Sequence, residues 1–438
     1  MARSPDSWLQ VRQQFNPQEV LAGKRGQAFY TDRADSPERD VLITFNPKET
    51  SPPKALLAGH RGCGKTSLLV RLLEHFKDDY FLVYFDIEHN VDKERFTQVD
   101  LLYLIGGAIY NIAEQEQFNP NRNLFADLAS AVYTLVYQKK QKVKDETLNA
   151  IEFVKGVLCF GAKMLGSNLG EALANAALKP FTFTAGVSEE IAHKREVQPQ
   201  VQKVVNCVNR IIGDVESKAG KPLLLVVDGL DKIVQEKLVD LLFLESRALQ
   251  GPVCCALYTV PMSLYQSFPR LRQDFRYFFF LPNVKLWQRN DDSTRDPQGY
   301  ETMHQVVAHR LNMISAPDLI APDVLNILIH SSGGVVRWLI TLFHDACIEA
   351  QKISADVITE QAARGAISRN ARGFQIGQDT ERLKELLHVR AQKNPSGSIL
   401  SRRLLQDQFI LAYSNDSAWF DAHPLLWSAL EERKVLTA

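Results

Sequence analysis

The sequence predicts an α/β protein built on a parallel β-sheet, with a long helical insertion, a helical lid and a small C-terminal winged-helix-like unit. Three observations carry that prediction. A glycine-rich stretch, Gly59-His60-Arg61-Gly62-Cys63-Gly64-Lys65-Thr66, stands between the short apolar run 55–58 and a helical segment at 67–75. Apolar runs of strand length recur at 80–86, 222–228, 253–260 and 277–281, the first two ending in Asp86 and Asp228. Helical periodicity fills the stretches between them, as expected when crossover helices cover both faces of a parallel sheet.

Residues 1–50 are mixed polar, contain Phe15-Asn16-Pro17 and Phe45-Asn46-Pro47, and precede the turn-prone Ser51-Pro52-Pro53. They are expected to wrap the edge of a sheet domain at 51–290. Within that domain a helical insertion is expected at about 95–218, with helices at 101–117, 123–139, 145–159 and 201–218. Its stretch 156–177 is rich in Gly and Ala, which suits a closely packed helix leading into a loop, or a mobile partner-binding element. Lys163 and Glu171 argue against membrane contact there. After the strand at 222–228 a helix is expected at 234–249, and after the last strand a helical lid at 291–375. Residues 376–438 mix helices with a strand at 408–413, the basis for the winged-helix-like unit.

With 438 residues, 45% hydrophobic and 23% charged, the chain is long enough for two or three packed units and is not disordered overall. Acidic and basic residues number 51 each, so global charge points to neither a nucleic-acid nor an anionic-membrane partner. The polar start lacks a signal-peptide core and no apolar run is long enough to span a bilayer, so a cytoplasmic protein without a membrane span is expected. Six cysteines without a C-x-x-C spacing read as small buried side chains, not a disulfide frame or zinc site.

Residues 59–66 match G-x-x-x-x-G-K-[ST], whose glycines let successive backbone amides face phosphate oxygens at the positive end of a helix. The stretch Gly59, His60, Arg61, Gly62, Cys63, Gly64, Lys65, Thr66 and Ser67 is therefore the expected cradle for a nucleoside triphosphate. Lys65 would lie along the β and γ phosphates and Thr66 would ligate magnesium. Asp228, ending a buried strand, is the expected second magnesium ligand, unless it only caps the next element. Asp231 is the nearest following acid able to activate water, unless it only caps the next helix. Asp86 and Glu88 are the alternative acids. Thr259, near the end of the 253–260 strand, either contacts the γ phosphate or the water, or is an ordinary β-branched strand residue. Arg337, after Ser331-Ser332-Gly333-Gly334, stands where a guanidinium reaches a γ phosphate across a domain boundary. One of Arg270, Arg272 and Arg276 would suit an arginine finger for a neighbouring subunit, the others being surface cations.

With those residues in place, the chain resembles the AAA+ superfamily, especially the branch that holds the STAND ATPases and the origin-recognition ATPases. The resemblance runs over about residues 40–365 and rests on Gly59 to Thr66, the Asp228-Gly229-Leu230-Asp231 strand end, Thr259 as first sensor and Arg337 as second sensor. It implies ATP with Mg2+ and a slow or partner-stimulated ATPase. Gly229 departs from the Asp-Glu pair of ordinary AAA+ machines and leans toward the STAND arrangement. The ending Ala418-Trp419-Phe420-Asp421-Ala422-His423-Pro424-Leu425-Leu426 is similar to winged-helix tails that follow such modules. Bacterial members of this branch often act in defence against phage or as regulators beside an effector protein, and the resemblance implies such a setting here. The leading expectation is a nucleotide-driven switch that controls self-association or an effector. A DNA-binding loader, suggested by the tail and by Arg402-Arg403 and Lys139-Lys140-Gln141-Lys142, and a pseudo-ATPase scaffold are the alternatives.

Overall fold

The computed structural model describes residues 4–19, 26, 28–49, 51–87, 97–140, 194–374, 379–415 and 417–437. The chain starts with helices α1 (Pro5–Gln14) and α2 (Glu38–Thr44), then β1 (Lys54–Ala58), α3 (Lys65–Phe76) and β2 (Phe81–Asp86). Insertion helices α4 (Gln98–Gln115), α5 (Arg122–Lys140) and α6 (Lys194–Ala219) follow. The sheet resumes with β3 (Leu223–Asp228), α7 (Glu236–Asp240), β4 (Cys255–Val260), α8 (Phe268–Asp274) and β5 (Tyr277–Phe280). These five strands form one parallel sheet in the order β2-β3-β4-β1-β5.

Burial explains why these runs become strands. Every residue of β3 is buried, so its Leu-Leu-Leu-Val-Val run needs apolar cover on both faces. Along β1 the side chains alternate: Ala55 and Leu57 join the layer of Leu68, Leu69, Leu72 and Leu73 on α3. Leu56 and Ala58 join the opposite layer, with Leu102, Ile105 and Ile109 of α4 and Ile211 and Val215 of α6. The insertion thus helps to cover one face of the sheet. Helix α4 starts at a capping box in which Thr97 and Asp100 satisfy each other's backbone amides.

A short antiparallel pair, β6 (Trp287–Gln288) and β7 (Asp291–Arg295), leads into the lid helices α9 (Pro297–Asn312), α10 (Pro322–Ser331), α11 (Val336–Lys352) and α12 (Glu360–Gly373). The lid has its own core, which also takes Trp8, Val11 and Phe15 of the N-terminal region, with Phe15 stacked on Phe343 at 3.9 Å. Val41 and Phe45, by contrast, pack with the sheet and α3. The C-terminal unit comprises α13 (Thr380–Gln392), α14 (Ile399–Gln406), β8 (Ile410–Ser414), β9 (Ala418–Ala422) and α15 (Trp427–Thr437). Strands β8 and β9 pair antiparallel. Ile410 and Ala412 face the sheet core while Leu411 and Tyr413 face the lid core, so this hairpin forms a seam between the two.

Two expected elements differ. In place of one helix over 234–249 the chain forms the five-residue α7 and then a π turn, Leu241–Glu245, closed by Ser246 N donating to Leu241 O at 2.9 Å. The wider turn leaves Leu242 and Phe243 both buried before the backbone extends at Ser246. The strand expected at 408–413 lies at Ile410–Ser414 and gains a partner, β9, whose burial on both faces hides the usual alternation. The helix expected at 145–159, the Gly/Ala-rich stretch 156–177 and Glu88 lie outside the described residues. Among the described residues no helix is long and apolar enough to cross a membrane.

Candidate nucleotide and magnesium site

The chain leaves β1 between β4 and β5 and turns through residues 59–64 into α3. Gly64 precedes the helix at φ 110° and provides no side-chain cap for the first-turn amides. Those amides, with the positive end of α3 behind them, form an anion cradle. Gly62, at φ 82°, has no room for a side chain, because a Cβ would lie 2.5 Å from that of Arg337. Inside the turn Lys65 is 5% exposed, and its Nζ donates to Gly59 O at 2.8 Å and His60 O at 2.9 Å. The same ammonium pairs with Asp231 Oδ2 at 2.8 Å.

Strand β3 brings its acid to the start of α3, although β4 lies between β3 and β1. Thr66 Oγ1 donates to Asp228 Oδ2 at 2.7 Å, Tyr84 OH donates to the same oxygen at 3.3 Å, and Gly229 N donates to Oδ1 at 2.7 Å. Burial and the nearby Asp86 carboxylate push the Asp228 carboxyl up to about 6, although Lys232 pulls the other way. Burial would also raise Asp231, but the Lys65 ammonium, with Lys232 beyond it, outweighs this and holds that carboxyl below its usual range. Asp86, across the register from Asp228, pairs with Lys232 Nζ at 3.0 Å.

Thr259 stands on β4 opposite Leu57 of β1 and is 1% exposed. Among the described residues its hydroxyl and Asp231 Oδ1 are buried without a well-formed hydrogen bond, though the hydroxyl is near enough to help hold the Asp231 carboxyl down. Two buried polar atoms left open at the strand ends suit a polar ligand. With the uncapped amides and the Thr66 and Asp228 pair, the donor set fits a nucleoside triphosphate with magnesium. Thr66 and Asp228 would hold the metal, Lys65 the phosphates.

The lid and the C-terminal unit both close on this loop. Arg337 is the second residue of α11, and its backbone N donates to Gly62 O at 3.1 Å. From the tail, Gln406 Nε2 donates to Asp231 O at 2.8 Å and Ala412 N to His60 Nε2 at 3.0 Å. Gln408 donates through Nε2 to Arg61 O and accepts from Trp338 Nε1 at 3.2 Å. His60 is buried, and burial, then Lys65, hold its imidazole down to about 3. His60 therefore serves the tail as a neutral acceptor, with the proton on Nδ1.

The structure thus gathers Lys65, Thr66, Asp228, Asp231, Thr259 and the backbone of Arg337 around one loop. Cys63 is buried in the turn, while Arg61 is exposed. Arg270 donates to Leu244 O at 2.9 Å, and Arg272 and Arg276 lie over the rings of Phe278 and Tyr277 at 5.5 and 5.2 Å. Sequence inspection missed Tyr84, Lys232, Gln406, Gln408 and Arg33. The Arg33 guanidinium donates to Cys63 O at 2.9 Å and Pro282 O at 2.6 Å, tying the N-terminal region to the loop and to the end of β5. Only Arg33 carried a local signal, its neighbour Asp35, which braces it at 2.9 Å.

The strand order, the glycine-rich turn from β1 into α3 and the acid at the tip of β3 define a P-loop nucleoside-triphosphatase fold with a helical lid and a winged-helix-like tail. Among solved structures the chain is similar to the Aeropyrum pernix ORC2 protein in its ADPNP-ADP complexes, at 12% identity and TM-score 0.41 over 98% of this chain and 99% of that one. It is also similar to the Aeropyrum pernix ORC1 protein in complex with DNA, at 12% identity and TM-score 0.40 over 97% of each chain. A third likeness is to CDC6P from Pyrobaculum aerophilum, at 13% identity and TM-score 0.36 over 96% of this chain and 97% of that one. No protein-family model matches the chain, and no curated protein does.

Proposed function

We propose that the chain is an ATP-binding and ATP-hydrolysing switch whose nucleotide state controls the docking of its lid and tail, and through them self-association or an effector protein. The observation that carries this reading is the buried Lys65–Asp231 pair at the point where loop, acid strand and tail meet. While Lys65 is paired with Asp231, the acid is neutralised. Transfer of the ammonium to the phosphates would release Asp231 as the acid that orients attacking water, with Thr259 and Arg337 facing the γ phosphate. Magnesium, when bound, supplies charge neutralisation on the phosphates. Scattering and sizing with ATP and a slowly hydrolysed analogue test the switch; unchanged mass, shape and partner binding would sink it.

Two substitutions probe the parts separately. Asp228→Asn is expected to lower Mg2+-dependent phosphate release at least about 100-fold while leaving the fold intact. Equal turnover in variant and wild type would remove Asp228 from the metal site. The paired change Gln406→Ala and Gln408→Ala removes four hydrogen bonds, to Asp231, Ser263, Arg61 and Trp338, together about 4 kcal/mol. Faster hydrogen exchange over β8 and β9 and higher basal turnover are expected; protection equal to wild type would show that the glutamines do not hold the tail. If wild type and Asp231→Ala release no phosphate while still binding nucleotide, the chain is a scaffold. The setting in bacterial phage defence is tested by whether cells carrying the chain and its partners resist infection while Lys65→Met cells do not.

A second reading, a DNA-binding loader or regulator, has one observation in its favour. A cavity of about 450 Å3 beside the β8–β9 hairpin is lined, among the described residues, by Arg289, His388, Gln392, Lys393, Asn394, Ser417 and Ala418, Lys393 being paired with the buried Asp421 at 2.6 Å. Arg402 and Arg403 do not add to it, since they pair with Asp240 and Glu236 at 2.9 and 2.8 Å. Salt-sensitive DNA binding in the presence of ATP would support the loader, and its absence would remove it.

A further inference from the structure

Tyr84 stands on β2 in register with Val226 of β3, its ring buried in the layer shared with α3. Its hydroxyl reaches diagonally to the strand tip and donates to Asp228 Oδ2 at 3.3 Å, the oxygen that also accepts from Thr66. The other carboxylate oxygen is held by the Gly229 amide. Three donors from β2, α3 and the turn after β3 therefore fix one carboxylate. The second acid at this edge, Asp86, stands opposite Asp228 but is engaged by Lys232 at 3.0 Å.

Resting on the nucleotide and magnesium reading above, we propose that Tyr84 is a positioning residue that presents Asp228 to the metal, while Lys232 keeps Asp86 out of that role. A carboxylate rotates easily about its terminal torsion, and Mg2+ tolerates little departure from octahedral geometry. A donor that locks the rotation preorganises the ligand without touching the metal. The expected effect is on metal affinity.

The test is Tyr84→Phe, which keeps the buried ring and deletes only the hydroxyl. With a fluorescent ATP analogue, the Mg2+ concentration giving half-maximal tightening of binding is expected to rise about 10-fold. Affinity for the same analogue in EDTA should match wild type. In an Asp228→Asn background the same change should leave the Mg2+ response unaltered, since the carboxylate that Tyr84 positions is gone. If wild-type binding ignores Mg2+, the magnesium reading itself fails. If wild type requires Mg2+ and Tyr84→Phe requires it at the same concentration, or if the variant weakens binding equally in EDTA, the positioning role is overturned.

Discussion

Lys65→Met is expected to abolish nucleotide binding and to cost the fold about 3–5 kcal/mol at the same time, because Asp231 is left buried without its partner. Lys65 makes three contacts shorter than 3 Å inside the loop, two of them to the carbonyls of Gly59 and His60. Those carbonyls would lose their donor as well. The companion variant Lys65→Met with Asp231→Leu removes both charges, and most of the lost stability should return while binding stays absent. Urea melts of the two single variants and the double close the cycle. A Lys65→Met protein as stable as wild type would show that the buried pair contributes nothing to the fold.

Acid is expected to open the seam between loop and tail before it unfolds the sheet. Burial, then Lys65, depresses His60 from 6.5 to about 3, and burial, then His60, depresses His423 to about 3. Both imidazoles are neutral when folded and take a proton readily only when released. Their contribution is therefore complete above pH 6.5 and is lost as pH falls toward 3, each by about 1.4 kcal/mol per pH unit. At pH 5 the two together cost about 4 kcal/mol. The raised carboxyl of Asp228 acts in the opposite sense over the same range, as do Asp100 and Asp421. Variant differences are therefore the clean measurement. His423→Asn keeps an acceptor for Leu425 N, and His60→Gln one for Ala412 N; each should flatten the stability loss between pH 6.5 and 5 by the share of one histidine. Hydrogen exchange at pH 5.5 should rise first in β8 and β9. An acid slope identical in wild type and variants would contradict this account.

Both predictions turn on residues whose types were visible in the sequence but whose partners were not. Lys65 and Asp228 were legible because a glycine-rich loop and an acid-tipped apolar run are patterns of neighbours. The five strands were legible for the same reason, since each is a short run of apolar residues with turn residues at its ends. Tyr84 was not, because nothing around it distinguishes a phenol that reaches Asp228 from one that only fills the core. Gln406 and Gln408 belong to no motif, and polar side chains in an amphipathic tail usually face solvent. Helix 234–249 failed for another reason: a π turn keeps the same residues buried as a continuous helix does, so its pattern carries no mark of the break.

Glycine spacing, apolar runs and strand-end acids are local properties, so the turn at 59–66, the five strands and the positions of Asp86 and Asp228 could be read from the chain alone. The pairing of Asp231 with Lys65, the capture of Asp86 by Lys232, and the tail's grip on His60, Arg61 and Asp231 come from the three-dimensional packing. Those pairings depend on β4 standing between β1 and β3 and on a hairpin whose two faces enter two different cores. Neither condition is written in any short stretch of the chain.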